Sequence, residues 1–304
     1  MASSSVLTFT EPDQMEAAHA AARAIEVMPT AREPLTWRVT RVDLDNLWLV
    51  RAQESGPRIR YIELDPERTF VSFLVRPGTD VFVRGELRLP NSLIRHARGQ
   101  ALYERTSGPT EWAALSIRTS ELLAASSALA GRDLSAPRAP QVVMPAPADM
   151  ANLLRAQTIA SDLAKNSPRL LAHPEVARAL EQSLIGAAIA CLSDAAAAHE
   201  KWAQQTHDTI MRRFRRVLAE HPNRPIYVPE ICAAIGASER TLRLCCREQL
   251  GMSPKQFLTR RRMHLVRRAL LAAETEATVT EITARCRWRR ESAAIRRNLI
   301  WWCA

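Results

Sequence analysis

With 304 residues, 47% hydrophobic and 24% charged, the chain is long enough for two domains with cores of their own and has a globular composition. Its net charge of +10 is unevenly placed: residues 204–304 hold 20 of the 42 Lys and Arg but 9 of the 32 Asp and Glu, so a polyanionic partner belongs to the last third. Nine glycines, no Gly-x-Ser-x-Gly and no paired carboxylates in an apolar run argue against an enzyme, and no run of 18 uncharged apolar residues points to a membrane span.

The start, MASSSVLTFTEPDQM, has neither a basic region nor an apolar one after it, so a secretory leader is not expected and a cytoplasmic location is. The six cysteines show no Cys-x-x-Cys spacing; Cys232, Cys245 and Cys246 fall on buried helix faces and read as small core residues.

From Leu35 to about Arg118 the pattern is one of short strands. Leu35, Trp37 and Val39 alternate with Thr36, Arg38 and Thr40. RIRYIEL, RTFVSFLV, DVFVRGELRL and EWAALSIR follow, separated by turns at Ser55-Gly56-Pro57, Asp65-Pro66, Pro77-Gly78 and Ser107-Gly108-Pro109. Strands at this spacing predict a small barrel or sandwich. His96 is the one histidine in the region, so a multi-histidine metal site is not expected, and Trp37 and Trp112 read as core aromatics before pocket walls. A helix near Ser120–Ala130 precedes a Pro-rich stretch at 131–148, which reads as a crossover or hinge.

A long amphipathic helix then begins at Pro174, with Val176, Leu180, Leu184, Ala187, Ala188, Cys191 and Ala195 on one stripe. That stripe fits either a dimer contact or packing against the chain's own sheet. The helix around Ile210–Glu220 buries Ile210, Phe214, Val217 and Leu218 and turns Arg212, Arg213 and Arg216 outward; His199 and His207 beside it read as structural or solvated.

Val228 to Leu271 carries the strongest signal. Pro229 suits a first helical turn, Ile231, Cys232 and Ile235 form one apolar face, and Gly236-Ala237 makes a turn in which glycine is free to take positive φ. Ser238 is placed to cap the next helix, with Glu239 complementing its dipole. On that helix Leu242, Cys245, Cys246 and Leu250 turn inward, leaving Arg240, Arg243 and Arg247 at i, i+3, i+7 as an outer ridge, with Thr241 beside it. A helix fits the major groove and Arg donates bidentately to guanine, so such a ridge is suited to reading bases. Gly251 closes the helix and Ser253-Pro254 opens another. This one, Lys255–Leu271, has Lys255, Arg260, Arg261, Arg262, Arg267 and Arg268 and no acid, the composition of a phosphate-contacting element.

The E-I-C-A-x-x-G-x-S-x-R-x-L core, the L-G-x-S-P turn at Leu250–Pro254 and the R-M-x-L-x-R-x-A-L-L run at Arg262–Leu271 resemble the DNA-binding domain of AraC/XylS-type bacterial transcription regulators. The resemblance covers Ile226 to about Arg285 and implies two helix-turn-helix units joined by a linker helix, behind a cupin-like effector-binding barrel. It implies base contacts at Arg240, Thr241 and Arg243. Leu244 and Cys246 depart from the Arg and Phe frequent there.

Val279, Glu281, Ile282 and Ala284 repeat Val228, Glu230, Ile231 and Ala233 at an offset of 51 residues, but Arg287 and Arg289 replace the turn glycine and the capping serine. The second unit therefore reads as incomplete, with the native frame or ending expected to be lost near Cys286, or else as a divergent working tail in which Arg285, Arg287, Arg289, Arg290, Arg296 and Arg297 still bind phosphate.

The expectation is an α+β chain: a β-rich sensor at 1–130, a Pro-rich hinge and helical dimerisation segment at 131–203, and a helix-turn-helix domain at 204–304. It would contact double-stranded DNA through Ser238, Arg240, Thr241, Arg243, Arg247, Arg260, Arg261 and Arg262. Partners would be a small-molecule effector, RNA polymerase and a second copy of the chain, with no cofactor, metal or membrane. The alternatives are a dimerising interaction protein with impaired DNA binding of its own and, further off, a cupin-type enzyme.

Overall fold

The computed structural model describes residues 2–18, 22–31, 33–193, 196–197, 204–221 and 226–272. In chain order the elements are β1 (Ser3–Phe9), α1 (Pro12–Ala18), β2 (Ala22–Pro29), β3 (Trp37–Asp43), β4 (Leu47–Glu54), β5 (Arg58–Leu64), β6 (Arg68–Leu74), β7 (Val81–Val83), β8 (Glu86–Leu87), β9 (Leu93–Arg95), β10 (Ala101–Thr106) and β11 (Thr110–Arg118). Then come α2 (Thr119–Ala130), β12 (Gln141–Met144), α3 (Pro147–Asn166), α4 (Pro168–Leu171), α5 (Pro174–Ser193), β13 (Ala196–Ala197), α6 (Gln204–Glu220), α7 (Val228–Ile235), α8 (Glu239–Leu250) and α9 (Pro254–Ala272).

The strands form two antiparallel sheets, ordered β1-β3-β4-β11-β6-β9-β12-β13 and β2-β5-β10-β7-β8. Side chains alternate between the faces of a strand, and here every central face finds a cover. On the larger sheet Leu47, Leu49, Val71, Phe73, Leu115 and Ile117 point one way and form a core with Leu122 of α2, Leu153 and Ala160 of α3, and Leu184 and Ala188 of α5. Val50, Ala52 and Trp112 point the other way, joining Met15, Val27, Trp37 and Val39. The smaller sheet contributes Leu64, Val81, Val83 and Leu102, packed with Phe70 and Ile94 of the larger one. Its other face gives Met28, Ile59 and Tyr103 to a core made mostly of Phe214, Leu218, Ile231, Leu242, Leu250 and Phe257 from α6 to α9. The order of layers is therefore helices, large sheet, small sheet, helices.

One segment differs from the reading of the sequence, and for another the structure selects between two readings. The Pro-rich stretch expected to be a hinge supplies β12, which extends the large sheet by pairing Gln141–Val143 with Arg95–Leu93. Its prolines flank the strand, where no ladder N–H is needed, which is why the stretch scores as a linker and still enters a sheet. The stripe of α5 takes the second of its two expected roles: Leu180, Leu184, Ile185, Ala188 and Ile189 are buried against the chain's own sheet. By length and composition α5 is apolar enough to cross a bilayer, with a mean hydropathy of 1.3, and here it is a core helix.

Candidate nucleic-acid interface

The local chemistry of α7 and α8 follows their residues. Gly236 ends α7 at φ +67°, and Arg213 donates to the Ile235 carbonyl at 3.1 Å, closing the end of α7. Ser238 is the cap of α8: its Oγ accepts the Thr241 N–H at 3.1 Å and lies 2.8 Å from Thr241 Oγ1. Gly251, at φ +70°, ends α8, and a side chain there would press on Arg105 of β10. Gly85 in the β7–β8 turn (φ +88°) is tighter, since an added Cβ would lie 2.8 Å from Glu248 Cγ. Both glycines let the smaller sheet approach α8 closely.

Leu242, Cys245, Cys246 and Leu250 of α8 are buried, whereas Arg240, Arg243, Leu244 and Arg247 are exposed. Arg243 is not an isolated cation: it pairs with Glu239 one turn earlier, Nη2 to Oε1 at 2.5 Å, both side chains about half exposed. A surface i,i+4 pair of this kind contributes about 0.3–0.5 kcal/mol and yields readily to a stronger partner. Beside the ridge, a cleft of about 1000 Å³ is lined by Arg247, Gly251, Met252, Ser253, Lys255, Gln256, Thr259 and Arg260. Its cations sit where α8 ends and α9 begins, so one groove joins the helix ridge to the linker helix. The thiols take no part in it: Cys191, Cys232, Cys245 and Cys246 are free, and burial pushes Cys191 up to about 12 and Cys245 up to about 11.

The linker helix corrects the sequence reading. Arg261, expected on phosphate, is buried; it donates to the Leu218 carbonyl at 3.1 Å and lies 3.7 Å from Glu26. Its place in α9 faces α6 and β2, where a guanidinium needs a carbonyl and a carboxylate to replace water. Arg260 donates to the Thr30 carbonyl, and Arg262 donates to Leu258 O at 3.3 Å within its own helix. Arg267 forms a bidentate pair with Glu11, with Nη2 to Oε1 at 2.7 Å. The side chain of Arg268 lies outside the described residues, as do His199, Arg287, Arg289 and the segment around Cys286.

The smaller sheet and the helices α6 to α9 therefore meet along a charged seam around an apolar centre. Glu26 on β2 accepts from Arg215 of α6 at 2.5 Å, Arg84 pairs with Asp208, and His207 of α6 meets Glu248 of α8 at 2.6 Å. At the centre Tyr103 packs edge-on against Phe257 (centroids 6.2 Å apart) and beside Tyr61 (5.3 Å). At the rim, Asp13 and Glu16 of α1 and His264 of α9 bring their ligand atoms within 4.8 Å of one another, the one metal-competent grouping among the described residues. Glu16 there accepts the Val27 N–H at 2.7 Å, and His264 Nε2 lies 3.8 Å from Asp13.

The sequence reading missed a second concentration of charge, inside the sandwich. Arg58 is fully buried between Glu54 (2.8 Å) and Glu104 (2.6 Å), and Arg60 reaches Glu104 at 2.7 Å while stacking 4.1 Å above the Trp112 ring. Trp112 Nε1 donates to Glu54 at 2.9 Å, so this tryptophan packs in the core and also orients a carboxylate. Arg88 donates to Ser72 at 3.2 Å, and Ser72 meets His96 Nε2 at 3.0 Å. His96 is thus a buried member of this network, flanked by Ser72 and Gln100, a set without the carboxylates a metal would want. Burial, then the nearby Arg88, holds its pKa down to about 4, so it is neutral at pH 7. Burial would raise Glu104, yet Arg60, Arg58 and Arg88 hold it down to about 2. The signal available in advance was the run R-I-R-Y-I-E-L, whose arginines share one face of a strand.

Against known proteins, a helix-turn-helix domain family matches residues 231–297. Among solved structures, the AraC-like transcriptional activator CuxR is 15% identical, with 93% of this chain and 100% of that one covered and a TM-score of 0.41. ToxT from Vibrio cholerae, solved with a bound unsaturated fatty acid, is 8% identical over 80% of this chain and 91% of that one, TM-score 0.33. A cupin-2 domain protein from Rhodospirillum rubrum is 12% identical over 60% and 90%, TM-score 0.24.

Proposed function

As the chain carries an AraC-type helix-turn-helix domain over residues 231–297, we propose that it is an effector-responsive regulator of transcription that reads the major groove with α8. The observation that carries this reading is the exposed row Arg240, Arg243 and Arg247 on a helix whose cap and core hold it rigidly. Arg240, Arg243 and Thr241 serve as base readers. Arg247, Lys255 and Arg260, which line the basic groove, position the phosphates, together with Ser238 at the start of α8 and Arg262 on α9.

The β-rich part of the chain is the sensor. In the conformation described it occupies Arg260 and Arg267 of α9 with Thr30 and Glu11, groups that compete with DNA phosphates for the same cations. Effector binding would shift the balance between this arrangement and one in which α9 is released to the duplex. A second copy of the chain and RNA polymerase are the further partners of this reading, and its chemistry is binding, with no catalytic step.

The test is selection of bound duplexes from a random pool by the full chain, followed by titration at several salt concentrations. A shared motif should emerge, and affinity should fall steeply as salt rises. Recovery of no motif at low ionic strength, or an affinity insensitive to salt, would overturn the reading.

A further inference from the structure

The interior of the sandwich holds more positive charge than its own acids neutralise. Arg58, Arg60 and Arg88 face Glu54 and Glu104, all five buried, and the neutral His96 adds nothing to either side. The hydrogen-bond tally agrees. Among the described residues Arg58 Nη1, Arg60 Nε and Nη1, and Arg88 Nε are buried donors without an acceptor. Arg88 is the extreme case, since among the described residues its guanidinium has one hydrogen bond, to the Ser72 hydroxyl. A buried guanidinium that lacks a carboxylate is costly, and a fold retains one where something else supplies the anion. Burial, offset in part by Glu104, brings Arg88 down to about 10, so it stays cationic at pH 7 and the demand persists.

The network also lies between two apolar clusters, with Trp37, Val50 and Trp112 on one side and Phe70, Val83 and Leu102 on the other. A ligand made to these surroundings has one anionic end and an apolar remainder. We propose that the interior of the sandwich binds a small monocarboxylate, whose oxygens accept from Arg88 and Arg60 beside the Trp112 ring. This names the chemical class of the effector in the function proposed above and rests on that reading.

The topology supplies the route by which such binding reaches the reader. Arg60 and Glu104 are register partners on β5 and β10, and their side chains face the interior. Their strand neighbours Ile59, Tyr61 and Tyr103 lie on the opposite face, against α6 and α9, where Arg215 stacks 4.5 Å from the Tyr61 ring. The small sheet is thus a two-residue-period wall with the anion site on one side and the reader on the other. A carboxylate drawing Arg60 away from Glu104 changes the strand that carries both faces.

The experiment is thermal melting of the full chain with hexanoate, hexanamide or chloride at matched ionic strength. Hexanoate should raise the melting temperature by several degrees and hexanamide should not. Without added carboxylate, Arg88→Met should melt above the unaltered chain and lose the hexanoate response, while Arg98→Met, on the exposed loop, keeps it. Equal effects of hexanoate and hexanamide on the unaltered chain would overturn the proposal, as would an Arg88→Met chain that melts lower, since the network would then be complete without a ligand. The same samples are titrated with duplex: intact duplex binding with no carboxylate response removes this inference alone, whereas a carboxylate response without duplex binding removes the regulator reading.

Discussion

Two groups of arginines are set out by simple sequence periods, and they end in opposite environments. Arg240, Arg243 and Arg247, at helical spacing on α8, face solvent; Arg58 and Arg60, two apart on β5, join Arg88 inside the sandwich. Period alone assigns residues to a face and is silent about what covers it. α8 has one covered face, so its polar side is its outer side. β5 is covered on both faces over Arg58–Arg60, so its polar side became the interior while Ile59 and Tyr61 face α6 to α9. The exposed set is open to a partner of any size, and the enclosed set is closed to a large one.

The comparison can be broken most forcefully at Arg58. Arg58→Met leaves Glu54 and Glu104 short of a buried partner and should cost about 3–5 kcal/mol, lowering the melting temperature by roughly 10 °C. A loss below that of a surface arginine such as Arg240 would mean that the interior network is solvated.

Acid should separate the sets next. His96 has its folded pKa near 4, below the unfolded value near 6.5, so between those values the unfolded chain binds more protons. Stability should be full above pH 6.5 and fall by about 3 kcal/mol as pH drops to 4, a slope that His96→Gln should flatten. Glu104, held near 2, adds its own loss only below about pH 4.5, so the two can be told apart in a denaturation series.

On the exposed side, Arg243→Ala should weaken duplex binding by about 1–3 kcal/mol, chiefly for sequences with the preferred base at one position. Arg261→Ala, by contrast, should cost about 1–3 kcal/mol of folding stability and leave the salt slope of duplex binding unchanged, because its partners are Leu218 and Glu26. Equal loss over all sequences for Arg243→Ala would show it to be a phosphate contact. The smallest effect is expected for Ser238→Ala, about 1 kcal/mol in a melt followed by circular dichroism, from loss of the cap to the Thr241 N–H.

Much of α7 to α9 was legible because its signals are local: the glycine turn at Gly236, the serine cap two residues later and the inward Leu242, Cys245 and Leu250 lie within fifteen residues. The strands at 58–64, 68–74 and 110–118 were legible for the same reason. β1 and β2 were not, since SSSVLTF and the run before Pro29 look like an unstructured start until β3 and β5 pair with them. The roles of α9 were misread at long range. Glu11, Glu26 and Thr30 stand more than 200 positions before the arginines they hold, and no window along the chain brings them together. The interior network escaped for a related reason: a polar-out rule presumes water on one face of a strand, and β5 is buried on both faces over Arg58–Arg60.

The apolar cluster that joins Met28, Ile59 and Tyr103 to Phe214, Leu250 and Phe257 has a practical consequence for anyone wishing to build chimeras. A graft of the last hundred residues onto a foreign β domain would arrive without Met28, Ile59 and Tyr103, the cover of its core on the sheet side. Only a transplant that also carries the outward-facing side chains of β2, β5 and β10 would preserve the fit. Side chains on the exposed face of α8 can therefore be exchanged singly, with everything beneath left in place.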